Sequence, residues 1–159
     1  MNQADRRKGW KPPRYQSFAL FKGKLFFPTV GVTPMGMLTE MEPVRVLPVS
    51  VDALGSALEL TFKTVPPVAR DYSPGDSPPK SPLQLAAGCR SWRAFARGSV
   101  RFGVVETELA WQIAVSAGPR ADESVAAELP RHASAAEIAE TTMAIAARYG
   151  EWKAETDSQ

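Results

Sequence analysis

The most regular pattern along the chain is an alternation of apolar and polar residues in its second half. Residues 99–105 and 109–115 each place apolar side chains at every second position, and Glu106, Thr107 and Glu108 lie between the two runs. A period of two puts successive side chains on opposite faces of a strand. The pattern therefore predicts an antiparallel hairpin with one buried face and a turn at the three polar residues.

A second group of strands is predicted in the N-terminal third of the chain. Residues 15–22 and 24–27 are rich in aromatic side chains, and Gly23 between them indicates a tight reversal. A further strand is expected over residues 42–49, where apolar side chains recur at every second position. Two prolines in this run indicate a place near an edge of the sheet.

Two main helices are predicted. Ser50 is a suitable N-cap for a helix over residues 51–64, and the prolines that follow end it. Ser134 and Glu137 form a capping box for a second helix, which is expected to end at Gly150. The predicted buried stripes of the two helices consist of Val51, Leu54, Ala57, Leu58 and Phe62, and of Ile138, Thr142, Ile145 and Tyr149.

The remaining segments give weaker patterns. Residues 66–82 are rich in proline and predict one long loop, either functional or simply mobile. Residues 83–88 predict a short helix that ends at a glycine, residues 91–97 fit a helix or a strand, and residues 118–132 predict a loop. The whole pattern predicts the α+β class: an antiparallel sheet of about five strands with two main helices packed on it, in a single domain over residues 15–150.

The charge is unevenly distributed. Residues 1–14 carry five basic side chains against Asp5, residues 15–150 carry 13 basic and 13 acidic side chains, and residues 151–159 carry one lysine against three acids. We therefore expect a disordered basic leader, a neutral domain and an acidic flexible tail. A nucleic-acid partner is disfavoured, because phosphate recognition needs positive charge on the folded surface.

Localisation is inferred from what surrounds the basic N-terminus. No apolar run follows it, as a secretory signal would require, and no stretch approaches the length of a membrane span. Cys89 is the single cysteine, so no internal disulfide can form. The sequence therefore predicts a cytoplasmic protein without a membrane partner.

Candidate chemistry is sparse. His132 is the single histidine, so neither a His-rich metal site nor a histidine relay can be built, and Cys89 would need His132 as its base. The carboxylate pairs at 40/42, 106/108 and 122/123 lie in predicted turns or loops, where carboxylates are usually solvated. No phosphate-binding loop, dinucleotide fingerprint, zinc spacing or nucleophile elbow is present. We therefore predict a protein that is not an enzyme, with no cofactor and no catalytic or metal-binding residues.

Two groups of residues suit partner binding. The first is a run of arginines beside aromatic side chains, a composition typical of interfaces: Arg90, Arg93, Arg97 and Arg101, with Trp92 and Phe95. The second group is acidic and lies in the long loop and the predicted hairpin turn, where it could dock a basic partner. The predicted partner-binding residues are those of this second group: Asp71, Tyr72, Asp76, Glu106 and Glu108.

The order of segments resembles that of bacterial immunity proteins of contact-dependent growth inhibition and related polymorphic toxin systems. The resemblance rests on residues 18–28, 41–46, 80–83 and 91–95, and on the capped helix that follows 129–130. It implies a cytoplasmic antidote that binds one toxin domain and occludes its active site, and it transfers no functional residue by position. The alternative is a nucleic-acid-associated module that uses the basic leader and the arginine run.

Overall fold

The computed structural model describes residues 13–70, 80–118 and 123–157, with side chains up to Tyr149. It confirms the α+β class, with one antiparallel sheet of six strands in the order β3-β2-β1-β4-β5-β6. The strands are β1 (Tyr15–Phe21), β2 (Lys24–Val32), β3 (Leu38–Pro48), β4 (Ser99–Glu106), β5 (Ala110–Ala117) and β6 (Ser124–Pro130). The helices in the described ranges are α1 (Val51–Lys63), α2 (Pro82–Ala86), α3 (Trp92–Gly98) and α4 (Ala135–Asp157).

The two predicted hairpins are confirmed. Lys22 and Gly23 both have positive φ values, 48° and 73°, as a two-residue hairpin turn between β1 and β2 requires. β4 and β5 pair antiparallel from Val100 opposite Ala117 to Glu106 opposite Trp111. β3 lies at an edge of the sheet, where its prolines remove no bond from a central ladder.

Three expectations about the elements are wrong. The sheet has six strands and not five, because the segment expected to be a loop contains β6, which pairs with β5. Its alternation is weak because two alanines stand side by side at 126 and 127, where the register against β5 also shifts. The second main helix does not end at Gly150 but continues to Asp157. A glycine inside a helix costs only about 1 kcal/mol, and residues 151–155 include good helix formers.

Both faces of the sheet are partly covered. On one face α1 and α4 pack over the main core, which includes Phe18, Phe102 and Trp111. The predicted stripes of both helices take part, with Leu54 and Ile138 fully buried. On the other face α2 and α3 cover one end of the sheet, where Leu83 and Phe95 pack on residues of β1 and β2. The segment 91–97, which the sequence left open between helix and strand, is therefore mainly helical.

The sheet opens between β1 and β2. These strands pair only at Ala19–Phe26, Leu20–Leu25 and Phe21–Lys24, next to their turn. β1 pairs with β4, and β2 with β3, along their whole lengths, so beyond the three pairs only the facing sides of β1 and β2 are unbonded to each other. The backbone of residues 67–69 follows α1 and bonds to Val32 on the side of β2 that β1 has left.

Candidate functional site

Gln16 occupies the cleft between the diverging strands β1 and β2. Its side chain is almost fully buried, and its amide nitrogen donates to the backbone carbonyls of Ser17 at 2.7 Å and Pro28 at 2.8 Å. The side chain thus bridges the two strands where their backbones no longer bond to each other. Among the described residues no donor is bonded to the other end of the amide, Gln16 Oε1.

A cavity of about 600 Å³ begins at this cleft. Its walls come from the start of β1, from β2 and β3, and from the last residues of α1 with the segment 65–67. Most of the lining is apolar, with Leu38, Leu60 and Val65 among the contributing side chains. Cavities of a few hundred Å³ with apolar walls and few polar groups are typical of small-molecule sites.

The charged side chains of the described residues that line the cavity are all cations: Arg14, Arg45 and Lys63. Arg14 forms an ion pair with Glu106, and Lys63 pairs with Glu59 at 2.8 Å. Arg45 lies over the ring of Phe27, 5.2 Å from its centroid, and no carboxylate of the described chain pairs with it. Arg45 is therefore the cation that an anion in the cavity can reach without breaking an existing ion pair.

A cluster of polar side chains lies on the sheet near the same cleft. Ser17 on β1 donates to Glu40 on β3 at 2.8 Å. Burial raises the pKa of Glu40, and this effect outweighs the Ser17 hydrogen bond and the charge of Arg101, which act in the opposite direction. Burial, together with Glu40 and Glu123 nearby, raises the pKa of Tyr15 to about 12. Tyr15 is also among the residues that line the cavity, although its side chain lies beside Gly103 and Ser17, on the opposite face of the sheet from Gln16.

The predicted acidic binding surface is only partly within the described residues. Asp71, Tyr72 and Asp76 lie outside them, and the long loop to which they were assigned has no described structure between residues 70 and 80. Glu106 is the last residue of β4, and Glu108 lies exposed in the turn that follows. The structure therefore brings Glu106 and Glu108 together at one hairpin.

Glu106 is engaged within the chain. Its side chain is 15% exposed and pairs with Arg14 and, at 3.7 Å, with Arg131. Arg131 also donates to the backbone carbonyl of Glu108 at 3.3 Å. The Arg14 guanidinium lies 5.0 Å from the Trp111 ring centroid, on the main core. Glu108 is thus the acid of this pair whose carboxylate has no ion pair with another described residue.

The arginine run divides into two parts. Arg90, Arg93 and Arg97 are exposed on and beside α3. Arg101 instead points into the structure, where it donates to Ser116 and to the carbonyl of Gly118, both at 2.8 Å. Burial lowers the pKa of this guanidinium, which Glu40 partly opposes.

Trp92 is the aromatic residue at the centre of this run. Its side chain is exposed, at 41%, and its ring is held from inside by Phe95 and by the Arg101 guanidinium, each 5.4 Å from the ring centroid. We call Arg90, Trp92, Arg93 and Arg97 the α3 surface. No acidic residue occurs in the sequence from Lys80 to Val105, so no local carboxylate neutralises these arginines.

The remaining candidates for chemistry are not brought together with partners. His132 is exposed in the turn after β6, and Cys89 is a free, half-buried thiol beside the smaller core cluster. Within the described ranges, no group of three or more potential ligands could hold a metal ion. No helix there is long and apolar enough to cross a membrane.

Comparison with known proteins adds a structural likeness alone. No protein-family model matches the chain, and no curated protein is similar to it in sequence. The chain is similar to a solved structure from Neisseria meningitidis, a protein of unknown function, with 15% sequence identity and a TM-score of 0.49. The match covers 80% of this chain and 90% of that one. A likeness at this level assigns neither a family nor an activity.

Sequence reasoning missed Gln16, Arg45 and the Ser17–Glu40 pair. Gln16 and Ser17 precede the aromatic run of β1, and in an amphipathic pattern they indicate only polar positions. Their role comes from the divergence of β1 and β2, which is set by contacts distant in sequence. The one available signal was Gln16 itself, a polar residue at a position that shares a sheet face with Phe18.

Proposed function

We propose that this chain is a protein-binding inhibitor of the immunity type, which acts in the cytoplasm and neutralises a cognate toxin domain by covering its active site. The observation that carries the proposal is the α3 surface. Trp92 is exposed but fixed in place by Phe95 and Arg101, and three exposed arginines lie within five residues of it in the sequence. Rigid aromatic anchors beside arginine are enriched among the residues that dominate protein interfaces.

The position of Trp92 favours a protein partner over a nucleic acid. Arg101 occupies one face of the indole ring, and Phe95 packs against the ring at a tilt of 48°. Base stacking needs an open aromatic face, whereas a protein pocket can receive the exposed edge of a fixed ring. The partner that fits this surface carries an acidic patch around an apolar pocket.

The proposal is tested with the toxin domain that we expect the neighbouring gene to encode. The C-terminal domain of a large secreted protein encoded next to this chain is produced in bacteria with and without the chain. We expect the wild type to restore growth, and Trp92→Ala to weaken binding about 30-fold, as loss of an interface anchor worth about 2 kcal/mol would do. Binding is measured by calorimetry on the purified pair.

Matched variants locate the docking surface. Arg148→Glu changes an exposed arginine on α4 and serves as the control, with an expected change in affinity of less than about threefold. Charge reversal at Asp71 and Asp76, or at Glu108, tests the acidic surface in the same assay, and Glu106 is left unchanged because it pairs with Arg14 and Arg131. If the acidic reversals abolish binding and Trp92→Ala does not, the acidic surface is the docking site. If the neighbouring domain is harmless or does not bind the chain, the immunity function is wrong.

A different observation favours the nucleic-acid alternative: the sequence from Lys80 to Val105 contains five basic residues and no acidic one. It predicts oligonucleotide binding whose affinity falls steeply with salt, with a log–log slope of about −3 if three arginines each contact one phosphate. Arg93→Gln should reduce this slope by about one. Absence of oligonucleotide binding at low ionic strength removes the alternative.

A further inference from the structure

The cavity between β1, β2 and the end of α1 has no role in the proposed function. None of its lining residues belongs to α2 or α3, so it is a separate site from the α3 surface. Its volume, about 600 Å³, falls in the range of pockets that enclose small molecules. What it could bind follows from the chemistry of its walls.

The walls are apolar and extend to exposed apolar side chains. Leu60 is 58% exposed and Val65 is 85% exposed, although both line the cavity. When a ligand covers large apolar groups that were exposed to water, the burial of their surface contributes favourably to the free energy of binding. The ligand therefore has an apolar body.

The polar groups define the other end of the ligand. Among the described residues, no acidic side chain lines the cavity, and Arg45 lines it without an ion-pair partner. A guanidinium matches the two oxygens of a carboxylate with two parallel hydrogen bonds.

We propose that this cavity binds a small amphipathic carboxylate, with its apolar body against Leu38, Leu60 and Val65 and its carboxylate on Arg45. A medium-chain fatty acid has this chemistry. Because the site is apart from the α3 surface, its occupancy does not depend on the immunity function.

The proposal is tested with decanoate on the full-length protein, by calorimetry and thermal unfolding below the micelle concentration. Decanol and decylamine are the matched probes, since they share the chain and differ in the head group. We expect saturable binding of decanoate with a rise in Tm, and binding of the two other probes that is at least about tenfold weaker.

Two variants separate head-group recognition from adsorption. Arg45→Gln should weaken decanoate binding about tenfold and leave decanol unaffected, whereas Arg93→Gln, an exposed arginine outside the cavity, should change neither. Thr61→Trp fills the cavity from α1 and should weaken both decanoate and decanol. Equal binding of all three probes, or decanoate binding that Arg45→Gln and Thr61→Trp leave unchanged, shows adsorption to exposed apolar groups and overturns the proposal. Absence of decanoate binding to the wild type overturns it as well.

Discussion

Glu40 shows how competing effects are resolved at a single residue. Its carboxylate accepts a hydrogen bond from Ser17 and is attracted by Arg101, yet its pKa is raised because burial removes more hydration than these partners replace. Folding therefore disfavours the charged form relative to the unfolded chain. A half-buried carboxyl with one hydrogen-bond donor is retained at a cost in stability.

This cost predicts the effect of Glu40→Gln. The folded-state pKa lies above the ordinary value of 4.5, so the favourable contribution of the protonated group is fully present below about pH 4.5 and is lost as the pH rises through the folded-state pKa. The amide keeps an acceptor for Ser17 and carries no charge. We expect Glu40→Gln to raise Tm at pH 7 and to reduce the fall in stability between acidic and neutral pH.

Thermal unfolding across this pH range checks the expectation. Glu42→Gln is the control, because Glu42 is an exposed carboxyl on the same strand. A Tm at pH 7 that is lower for Glu40→Gln than for the wild type and the control would mean that the charge of Glu40 stabilises the fold.

At the scale of elements, the predictions that succeeded rest on local signals. Ser50 caps α1 by accepting from the Ala53 amide at 3.0 Å, and Ser134 caps α4 by accepting from the Glu137 amide at 3.1 Å. The turn at Lys22 and Gly23 is equally local. Caps and tight turns depend on a few neighbouring residues, so the sequence contains nearly all the information that they need.

The elements that sequence could not predict depend on distant contacts. β6 is a strand because β5 offers it an unpaired edge, although its own alternation is weak. The cleft between β1 and β2 likewise depends on the backbone of 67–69, which bonds to Val32 from beyond α1. A candidate site built from such a cleft could not be found from periodicity alone, whereas the exposed arginines of the α3 surface were visible as a run in the sequence.

The cap and the core face of α4 can be tested together. Ser134→Ala should reduce the free energy of unfolding by about 1 kcal/mol, through loss of the bond to the Glu137 amide. Ile145→Ala should reduce it by about 2–4 kcal/mol, because Ile145 is buried in the main core. Urea unfolding gives both values, and Glu140→Ala on the exposed side of α4 should stay within about 0.5 kcal/mol. A neutral Ile145→Ala would contradict the packing of this helix.

At the scale of the whole molecule, Arg14 connects the residue before β1 to β4 and β5. Its side chain pairs with Glu106 on β4 and lies over the ring of Trp111 on β5. Its backbone carbonyl accepts a hydrogen bond from the Glu106 amide. Contacts of this kind join residues about 90 positions apart in the sequence.

Deletion of residues 1–13 should leave Tm nearly unchanged, because this leader is basic, contains a Pro-Pro pair and carries one aromatic residue. Arg14→Ala in the full chain should lower Tm by about 2–4 °C, since a partly exposed guanidinium over an aromatic ring contributes roughly 1 kcal/mol. Differential scanning calorimetry measures both. A fall of more than about 5 °C on deletion would show that the leader packs on the domain.

The opening between β1 and β2 also divides the sheet into two parts that are joined by few backbone hydrogen bonds. The hairpin of β2 and β3 is joined to β1 by three residue pairs next to a two-residue turn, whereas β1, β4 and β5 pair along most of their lengths. Native proteins open in cooperative segments, and those with fewer shared hydrogen bonds open at lower free energy. Amide hydrogens of β3 should therefore exchange with solvent through detachment of this hairpin, at a free energy below that of global unfolding. Each such excursion would also widen the cleft at Gln16 and give a bound molecule its route in and out.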